Sequence, residues 1–163
     1  MKHIIATEDR LGIRWDHRPY FEYLRSARSL FPPHIFEFAN SPDNHDLTSP
    51  NSLHDCWLES WTIREQSNTD GRSCRSIQID ARLLGSRWDR YICLSYKNVQ
   101  RYAFSNPGDP GQFPNRKNKG HGDILVHEMR LESDGVFAHE LIFSDGSTFL
   151  TEFCDFDHRV EVL

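Results

Sequence analysis

Apolar positions change their spacing along the chain, from a helical period before residue 51 to a period of two after it. Leu11, Ile13 and Trp15 alternate, which predicts a short strand near the N-terminus. Residues 19–31 carry apolar side chains three or four positions apart and stop at two prolines, which predicts a helix. Residues 33–39 predict a second, short helix, and residues 40–51 predict a loop.

From Ser52 onward the alternation predicts antiparallel strands separated by turns. The expected strands are 52–64, 76–84, 88–104, 124–131, 137–143 and 149–156. The strand over 88–104 is long and should bend at Lys97-Asn98, and residues 69–72 give a turn signal. Residues 105–123 hold three prolines and four glycines, which predicts a long loop of the kind that is functional or disordered.

These elements predict a single α+β domain over residues 1–163. Residues 1–51 form a helical N-terminal part with a loop, and residues 52–163 form a β-meander that contains the long loop 105–123. We expect one or two N-terminal helices packed on an antiparallel meander of about six or seven strands, curved into a half-barrel or barrel. Helix 19–31 should cover an open end or face of this sheet.

Composition limits the function classes. Hydrophobic residues make up 37% and aromatic residues 12% of the chain, so the core should depend on Phe, Trp and Tyr. The net charge of −5 disfavours a dedicated nucleic-acid binder. The first residues do not resemble a signal peptide, and no apolar run approaches membrane-spanning length. Four cysteines without a CxxC pair predict reduced thiols and a cytoplasmic location.

Two His-Glu pairs flank the turn Ser133-Asp134-Gly135. A three-residue loop with Gly135 in the left-handed conformation sets Glu132 opposite Val136, Met129 opposite His139 and Glu128 opposite Glu140. A second turn at Ser144-Asp145-Gly146 gives a consistent register, with pairs at 141/149, 139/151 and 137/153. The histidines then share the apolar face, and the glutamates share the outer face.

This register leaves two interpretations for each pair. His127 and His139 lie diagonally on the apolar face, as hydrogen-bonded core residues or, less favourably, as metal ligands. Glu128 and Glu140 stand at a spacing that suits paired catalytic carboxylates, but a hairpin's outer face is usually wet. With Glu152 they are better interpreted as a solvated charged face or as an acidic stripe for a partner. No metal ion or cofactor is expected.

Aromatic residues give a further candidate. Trp57, Trp61, Trp88 and Tyr91 could form a stacking platform for sugars or bases, although aromatic strand residues more often belong to a core. His54 and Cys56 stand two apart on the expected strand, a poor geometry for a thiol-imidazole dyad.

Two stretches resemble segments of small uncharacterised bacterial β-rich domains. They are SLHDCWLESWTI, with its Ser-Leu-His-Asp strand opener, and the closing pattern HELIFSDGSxFxxxFxDF. Some such domains resemble immunity proteins of toxin systems. The resemblance covers roughly residues 52–156 without the long loop. It implies a bacterial β-rich domain and carries over no catalytic residue.

Two functional hypotheses follow. The first is a non-enzymatic cytoplasmic protein-binding domain, immunity-like in the sense of that resemblance, which binds a basic protein through Glu128, Glu140 and Glu152. The alternative is a small-ligand-binding or hydrolytic β-barrel, whose pocket contains His127, His139, Trp57 and Tyr91 under loop 105–123 as a lid.

Overall fold

The computed structural model of the chain describes residues 1–10, 12–67, 75–106 and 120–163. Within these ranges the chain forms two α-helices and ten β-strands. The helices are α1 (Arg18–Ala27) and α2 (Pro33–Ala39), with 3-10 turns at Arg28–Leu30 and Pro42–Asn44. The strands are β1 (Ile5–Asp9), β2 (Gly12–Asp16), β3 (Trp57–Ser67), β4 (Arg75–Leu84), β5 (Arg90–Lys97), β6 (Arg101–Ser105), β7 (Ile124–Ser133), β8 (Val136–Phe143), β9 (Thr148–Phe153) and β10 (Asp155–Val162).

The strands form three antiparallel sheets. Strands β1 and β2 make a hairpin, and two four-stranded sheets have the orders β10-β5-β4-β3 and β6-β9-β8-β7. A β-bridge between Trp57 and Asp123 connects the start of β3 to the chain just before β7. The α+β class and the antiparallel pairing are confirmed. None of the sheets in the described ranges closes into a barrel, so the expected half-barrel or barrel and the count of six or seven strands are not confirmed.

The chain crosses between the two large sheets at two points. Asn98 adopts a positive φ of 50° after β5, and β6 then pairs with β9 in the other sheet. The predicted bend at Lys97-Asn98 is therefore confirmed, and at this bend the chain passes from one sheet to the other. The expected strand over 149–156 is wrong as a single element, because β9 ends at Phe153 and β10 pairs with β5. Neither Gly nor Pro marks this second crossing.

The two large sheets pack face to face through aromatic rings. The ring centroids of Tyr96 and Phe153 lie 5.2 Å apart, and those of Trp61 and Phe149 lie 5.1 Å apart. Helix α2 fills the space between β7 and β10, where Phe38 is buried 4.7 Å from the Phe156 ring. The expected aromatic core is confirmed for Phe and Tyr, which make up seven of the twelve largest fully buried side chains in the described ranges, but not for Trp, which does not occur among the buried core residues there.

Helix α1 is shorter than expected, because the chain continues from Ala27 as a 3-10 turn through Leu30. Its hydroxyl groups protect the outer edge of β7. The amide of Met129 donates to the Tyr20 hydroxyl at 3.1 Å, and the amide of Leu131 donates to the Tyr23 hydroxyl at 2.8 Å. Unpaired amides on an edge strand favour aggregation, because they can pair with a strand of another chain. Here the two tyrosine hydroxyls accept hydrogen bonds from the edge amides.

We predict that Tyr20→Phe lowers the free energy of unfolding by about 1–3 kcal/mol, because the buried Met129 amide loses its acceptor. Urea denaturation followed by tryptophan fluorescence measures the change. Tyr102→Phe is the matched control, since Tyr102 is 41% exposed on β6 and should change stability by less than about 0.5 kcal/mol. Equal effects for the two variants would contradict a structural role for the Tyr20 hydroxyl.

Candidate functional site

The β7–β8 and β8–β9 pairings follow the predicted register in all but one pair. Glu128 faces Glu140 and Met129 faces His139, while His139 also faces Thr151 on β9. The first turn differs in one detail, since Ser133 rather than Glu132 pairs with Val136 and the register shifts between Leu131 and Ser133. Gly135 has a φ of 68°, as the turn argument requires.

The outer face of this hairpin is not a solvated acidic stripe, so that part of the prediction is wrong. Glu128 is fully buried. Its carboxylate accepts the backbone amides of Lys2 at 2.9 Å, His3 at 2.7 Å and Ile4 at 2.8 Å. The N-terminal segment therefore covers the face that the hairpin pattern left open to water.

The other two glutamates of the expected stripe are also partnered. Glu140 accepts from Arg130 at 2.9 Å and pairs with the Met1 amino group at 2.8 Å. Glu152 pairs with Arg101 on β6 at 3.0 Å. The Arg130 side chain is 6% exposed, and it bridges Glu128 and Glu140. Glu128, Arg130 and Glu140 thus form one ionic network, while Glu152 pairs separately with the exposed Arg101. The binding of a basic protein here stays a prediction.

We predict that Glu128→Gln lowers the free energy of unfolding by about 3–5 kcal/mol, because it weakens three amide contacts and leaves Arg130 undercompensated in a buried site. Denaturant unfolding measures the loss. Glu65→Gln serves as the control, because Glu65 and its partner Arg75 are both exposed and the change should cost less than about 1 kcal/mol. A loss for Glu128→Gln as small as the control's would show that the carboxylate is dispensable.

His127 and His139 lie on the opposite face of β7 and β8, as predicted, and both are buried. They belong to a continuous hydrogen-bonded chain. The Tyr96 hydroxyl is 2.7 Å from His139 Nδ1, His139 Nε2 is 3.1 Å from His127 Nδ1, and His127 Nε2 is 3.2 Å from the backbone oxygen of Asn44. Sequence patterns identified the two histidines but gave no signal for Tyr96 or Asn44 as their partners.

For two neutral imidazoles, this chain assigns every proton. The Asn44 carbonyl can only accept, so His127 Nε2 carries the hydrogen and donates it. His127 Nδ1 then accepts from His139 Nε2, and His139 Nδ1 accepts from the Tyr96 hydroxyl. These directions hold while both imidazoles are neutral, since a second proton on His127 would reverse the hydrogen bonds as far as the Tyr96 hydroxyl, which can also accept.

Burial keeps the two imidazoles neutral. It lowers the pKa of His139 to about 3 and lowers the pKa of His127 well below its usual value. His45 stacks on His127 with ring centroids 4.2 Å apart, and burial lowers its pKa to about 4. These three histidines are uncharged near neutral pH.

We predict that the protein loses stability in acid before its carboxylates titrate. The folded pKa values lie below the unfolded value of 6.5, so unfolding takes up protons. Stability is thus fully present above pH 6.5 and falls as the pH drops toward the folded values. Below about pH 6, three such groups should lower the free energy of unfolding by up to about 4 kcal/mol for each pH unit.

Urea denaturation at a series of pH values from about 7.5 to about 5 measures this slope. His34→Gln is the control, because His34 lies outside this cluster, half exposed and paired with Asp155. The control should show the same slope as the wild-type chain. An unfolding free energy that stays constant over this range would refute the neutral histidine chain.

Trp57 and Tyr91 do not join the histidines, so the expected ligand pocket is not assembled from these four residues. Tyr91 lies on the outer face of its sheet, where its hydroxyl donates to Glu59 at 2.9 Å and its ring packs under the Arg82 guanidinium at 3.7 Å. Trp57 is 46% exposed at the start of β3. The expected lid falls largely on residues 107–119, outside the described residues.

A different pocket reaches His127. Its volume is about 400 Å³, and it lies between the β1–β2 hairpin, the 44–54 loop and the start of β7. The histidines His17, His45 and His54 line it with His127. His45 Nε2 and His54 Nδ1 are buried without a hydrogen-bond partner; His54 Nδ1 is 3.0 Å from an Asp55 carboxylate oxygen, but the approach is not aligned for a hydrogen bond.

A larger hollow of about 540 Å³ lies over the outer face of the β10-β5-β4-β3 sheet. Its charged side chains already pair with one another or with neighbours, as in Arg64 with Asp80 at 2.7 Å and Arg159 with Glu161 at 2.8 Å. Because these charges already have partners, the hollow is a weaker candidate for a ligand site than the histidine-lined pocket.

Two exposed tryptophans define a second candidate, which we call the tryptophan surface. Trp57 and Trp88 have ring centroids 5.2 Å apart at an interplanar angle of 57°. Trp88 is 61% exposed in the turn between β4 and β5. The indole N–H of Trp57 donates to Asp123, and Arg87 ties the turn to the Thr48 carbonyl at 2.8 Å.

Neither a metal centre nor a thiol site emerges from the described part of the chain. No group of three or more His, Cys, Asp or Glu residues there has a geometry that could hold a metal ion. Cys56, Cys93 and Cys154 are free thiols, and Cys74 is outside the described residues. Burial raises the pKa of Cys56 to about 12, which makes it a poor nucleophile next to His54.

Comparisons of the chain with protein-family profiles, curated proteins and solved structures find no match. The resemblance to bacterial immunity-like domains therefore stays a prediction. No helix in the described ranges is both long enough and apolar enough to cross a membrane.

Proposed function

We propose that the chain is a non-enzymatic protein-binding domain that recognises a basic partner at the tryptophan surface. The observation that carries this proposal is the exposed pair Trp57 and Trp88. Tryptophan is enriched in the residues that dominate binding energy at protein interfaces. Large aromatic side chains that remain exposed next to one another are a common mark of an interaction site.

Backbone strain at Trp88 supports the same proposal. Trp88 has a positive φ of 59°, and so do two other non-glycine residues of the described chain, Asp55 and Asn98. Asp and Asn adopt this left-handed conformation readily, whereas a bulky residue does so at a cost. Strain of this kind is concentrated at functional sites, and here it presents an indole ring to solvent.

The charges around the two rings favour a basic partner. The carboxylates of Asp55, Asp89 and Asp123 lie on or next to the residues that hold Trp57 and Trp88. Asp89 already pairs with Arg90, Asp123 accepts the Trp57 indole N–H, and Asp55 lies 3.0 Å from His54 Nδ1. An arginine or lysine of a partner could stack on an indole ring and pair with these carboxylates. The net charge of −5 would also steer a basic protein toward the domain.

This proposal keeps the expected partner class but moves its site away from Glu128, Glu140 and Glu152. Glu128 anchors the N-terminal segment, so its replacement tests folding rather than binding. An immunity-like, toxin-neutralising role in a bacterial cytoplasm is the setting that the sequence resemblance implies, and it belongs to this proposal.

We predict that Trp88→Gly abolishes partner capture without unfolding the chain. Glycine relieves about 1–2 kcal/mol of left-handed strain and loses about 0.4–1 kcal/mol through unfolded-state entropy, so the free energy of unfolding should change by no more than about 1.6 kcal/mol. Removal of a central tryptophan should weaken partner binding by roughly 30-fold or more.

The measurement is capture from an extract of the source cells, quantified by mass spectrometry, with wild-type, Trp88→Gly and Leu30→Ala chains as baits. Leu30 is 59% exposed but lies away from the two tryptophans, in the 3-10 turn after α1. A basic protein held by the wild-type and Leu30→Ala baits, lost with Trp88→Gly and released by salt, is the expected outcome. Equal capture by all three baits would remove the tryptophan surface from the proposal.

A further inference from the structure

The histidine-lined pocket shares no lining residue with the tryptophan surface, so a ligand there would be independent of the proposed protein binding. Its volume of about 400 Å³ falls within the usual range for small-molecule sites. Two turns of a helix, about 10 Å wide and about 11 Å long, would need roughly twice that volume. The pocket therefore suits a small molecule better than an element of another protein.

One wall of the pocket is a face of the β1–β2 hairpin. Ile13 and Trp15 alternate along β2, so both side chains leave the strand on the same face, and both line the pocket. Asp16 and its cross-strand partner Ile5 share the opposite face. Ile13 is nevertheless 58% exposed. An apolar side chain that lines a concavity and stays exposed leaves surface that a ligand can cover.

Two further segments supply the remaining apolar surface. Leu125 and Val126 come from β7, and Leu47 comes from the 44–54 loop. Leu125 is half-buried, Val126 is buried, and Leu47 is 68% exposed. Apolar groups from the hairpin, the loop and the sheet thus converge on one space, and two of them are left largely open to water.

The polar groups of the pocket offer a ligand few hydrogen bonds. The Asn44 amide donates to the Phe38 carbonyl at 2.7 Å, and both ring nitrogens of His127 belong to the hydrogen-bonded chain. His45 Nε2 and His54 Nδ1 are unpaired, but both atoms are buried, so a ligand in the pocket does not reach them. A polar group of a ligand would therefore lose its water without a replacement.

The wall also lacks a counter-charge for an ionised ligand. No Asp or Glu occurs among the described residues that line the pocket. Burial lowers the pKa of His17, so this half-buried imidazole is uncharged at neutral pH. Arg14 also lines the pocket, but it lies between Ile13 and Trp15, so its side chain leaves the strand on the opposite face. An uncharged ligand avoids the cost of burying a charge without a partner.

We propose that this pocket binds a small, uncharged and mainly apolar molecule, for which toluene is a simple probe. Binding is driven by the apolar surface that the ligand removes from water on Ile13, Trp15 and Leu47. The chemistry is recognition only, and no bond is made or broken in the ligand.

The test compares four single-ring probes at neutral pH, namely toluene, benzyl alcohol, benzoate and benzylamine. Affinities come from titrations of the amide spectrum by nuclear magnetic resonance. Toluene should bind about tenfold more tightly than benzyl alcohol, because the pocket gives the added hydroxyl group no hydrogen-bond partner. Benzoate and benzylamine carry a charge at neutral pH and should bind more weakly still.

Ile13→Ser is the informative variant, and Ile5→Ser is its matched control. The two isoleucines lie on the same hairpin and are 58% and 50% exposed, but only Ile13 lines the pocket. Ile13→Ser should weaken toluene binding about fivefold, and Ile5→Ser should leave it unchanged. If the hairpin does not tolerate serine, Leu47→Ser against the exposed Leu30→Ser makes the same comparison outside it.

Three results would overturn the proposal. They are no saturable change with toluene, binding of any of the other three probes as tight as that of toluene, and equal loss of toluene binding in a wall variant and its control. None of them depends on the tryptophan surface. A Trp88→Gly chain should bind toluene normally, so failure of the proposed protein binding and failure of this pocket can be told apart.

Discussion

One buried carboxylate, that of Glu128, holds the N-terminal segment against β7. It accepts three consecutive backbone amides, from Lys2 to Ile4, and it requires the nearby Arg130 because a buried charge is costly without a counter-charge. This contact buries the outer face of β7. The segment leads directly into the β1–β2 hairpin, so the same contact helps to set the position of Ile13 and Trp15 in the pocket wall.

On the opposite face of β7, the buried polar side chains are uncharged and satisfy one another by hydrogen bonds. His127 and His139 form a directed chain from the Tyr96 hydroxyl to the Asn44 carbonyl. That carbonyl also accepts the Leu53 amide at 3.1 Å, so the chain fixes part of the 44–54 loop. One strand therefore carries an ionic network on one face and a neutral network on the other. Acid lowers stability through the neutral face first, because the unfolded chain's imidazoles take up protons near pH 6.5, above the range in which carboxylates titrate.

The turn residues and the alternation of apolar positions predicted strands β7, β8 and β9, but not the distant segments that pack against them. The two Ser-Asp-Gly turns set the register of β7, β8 and β9, because strand faces alternate strictly and a slip would expose the apolar set. The cover over Glu128 comes from residues more than 120 positions away, and no period links the two segments. His45 and Asn44 lie in a loop without any hydrophobic repeat. The break between β9 and β10 has no Gly or Pro to mark it.

Exposure alone does not distinguish a binding residue from an ordinary surface residue. Tyr102 and Phe104 are both 41% exposed, but they lie in a strand of ordinary backbone geometry and can be explained by the edge position of β6. Trp88 differs, because its exposed indole is combined with a left-handed backbone that glycine would adopt without strain. Glycine there would relieve the strain and expose less apolar surface. The Trp57 ring, 5.2 Å away, supplies one compensating contact, and in the proposed function a bound partner supplies another.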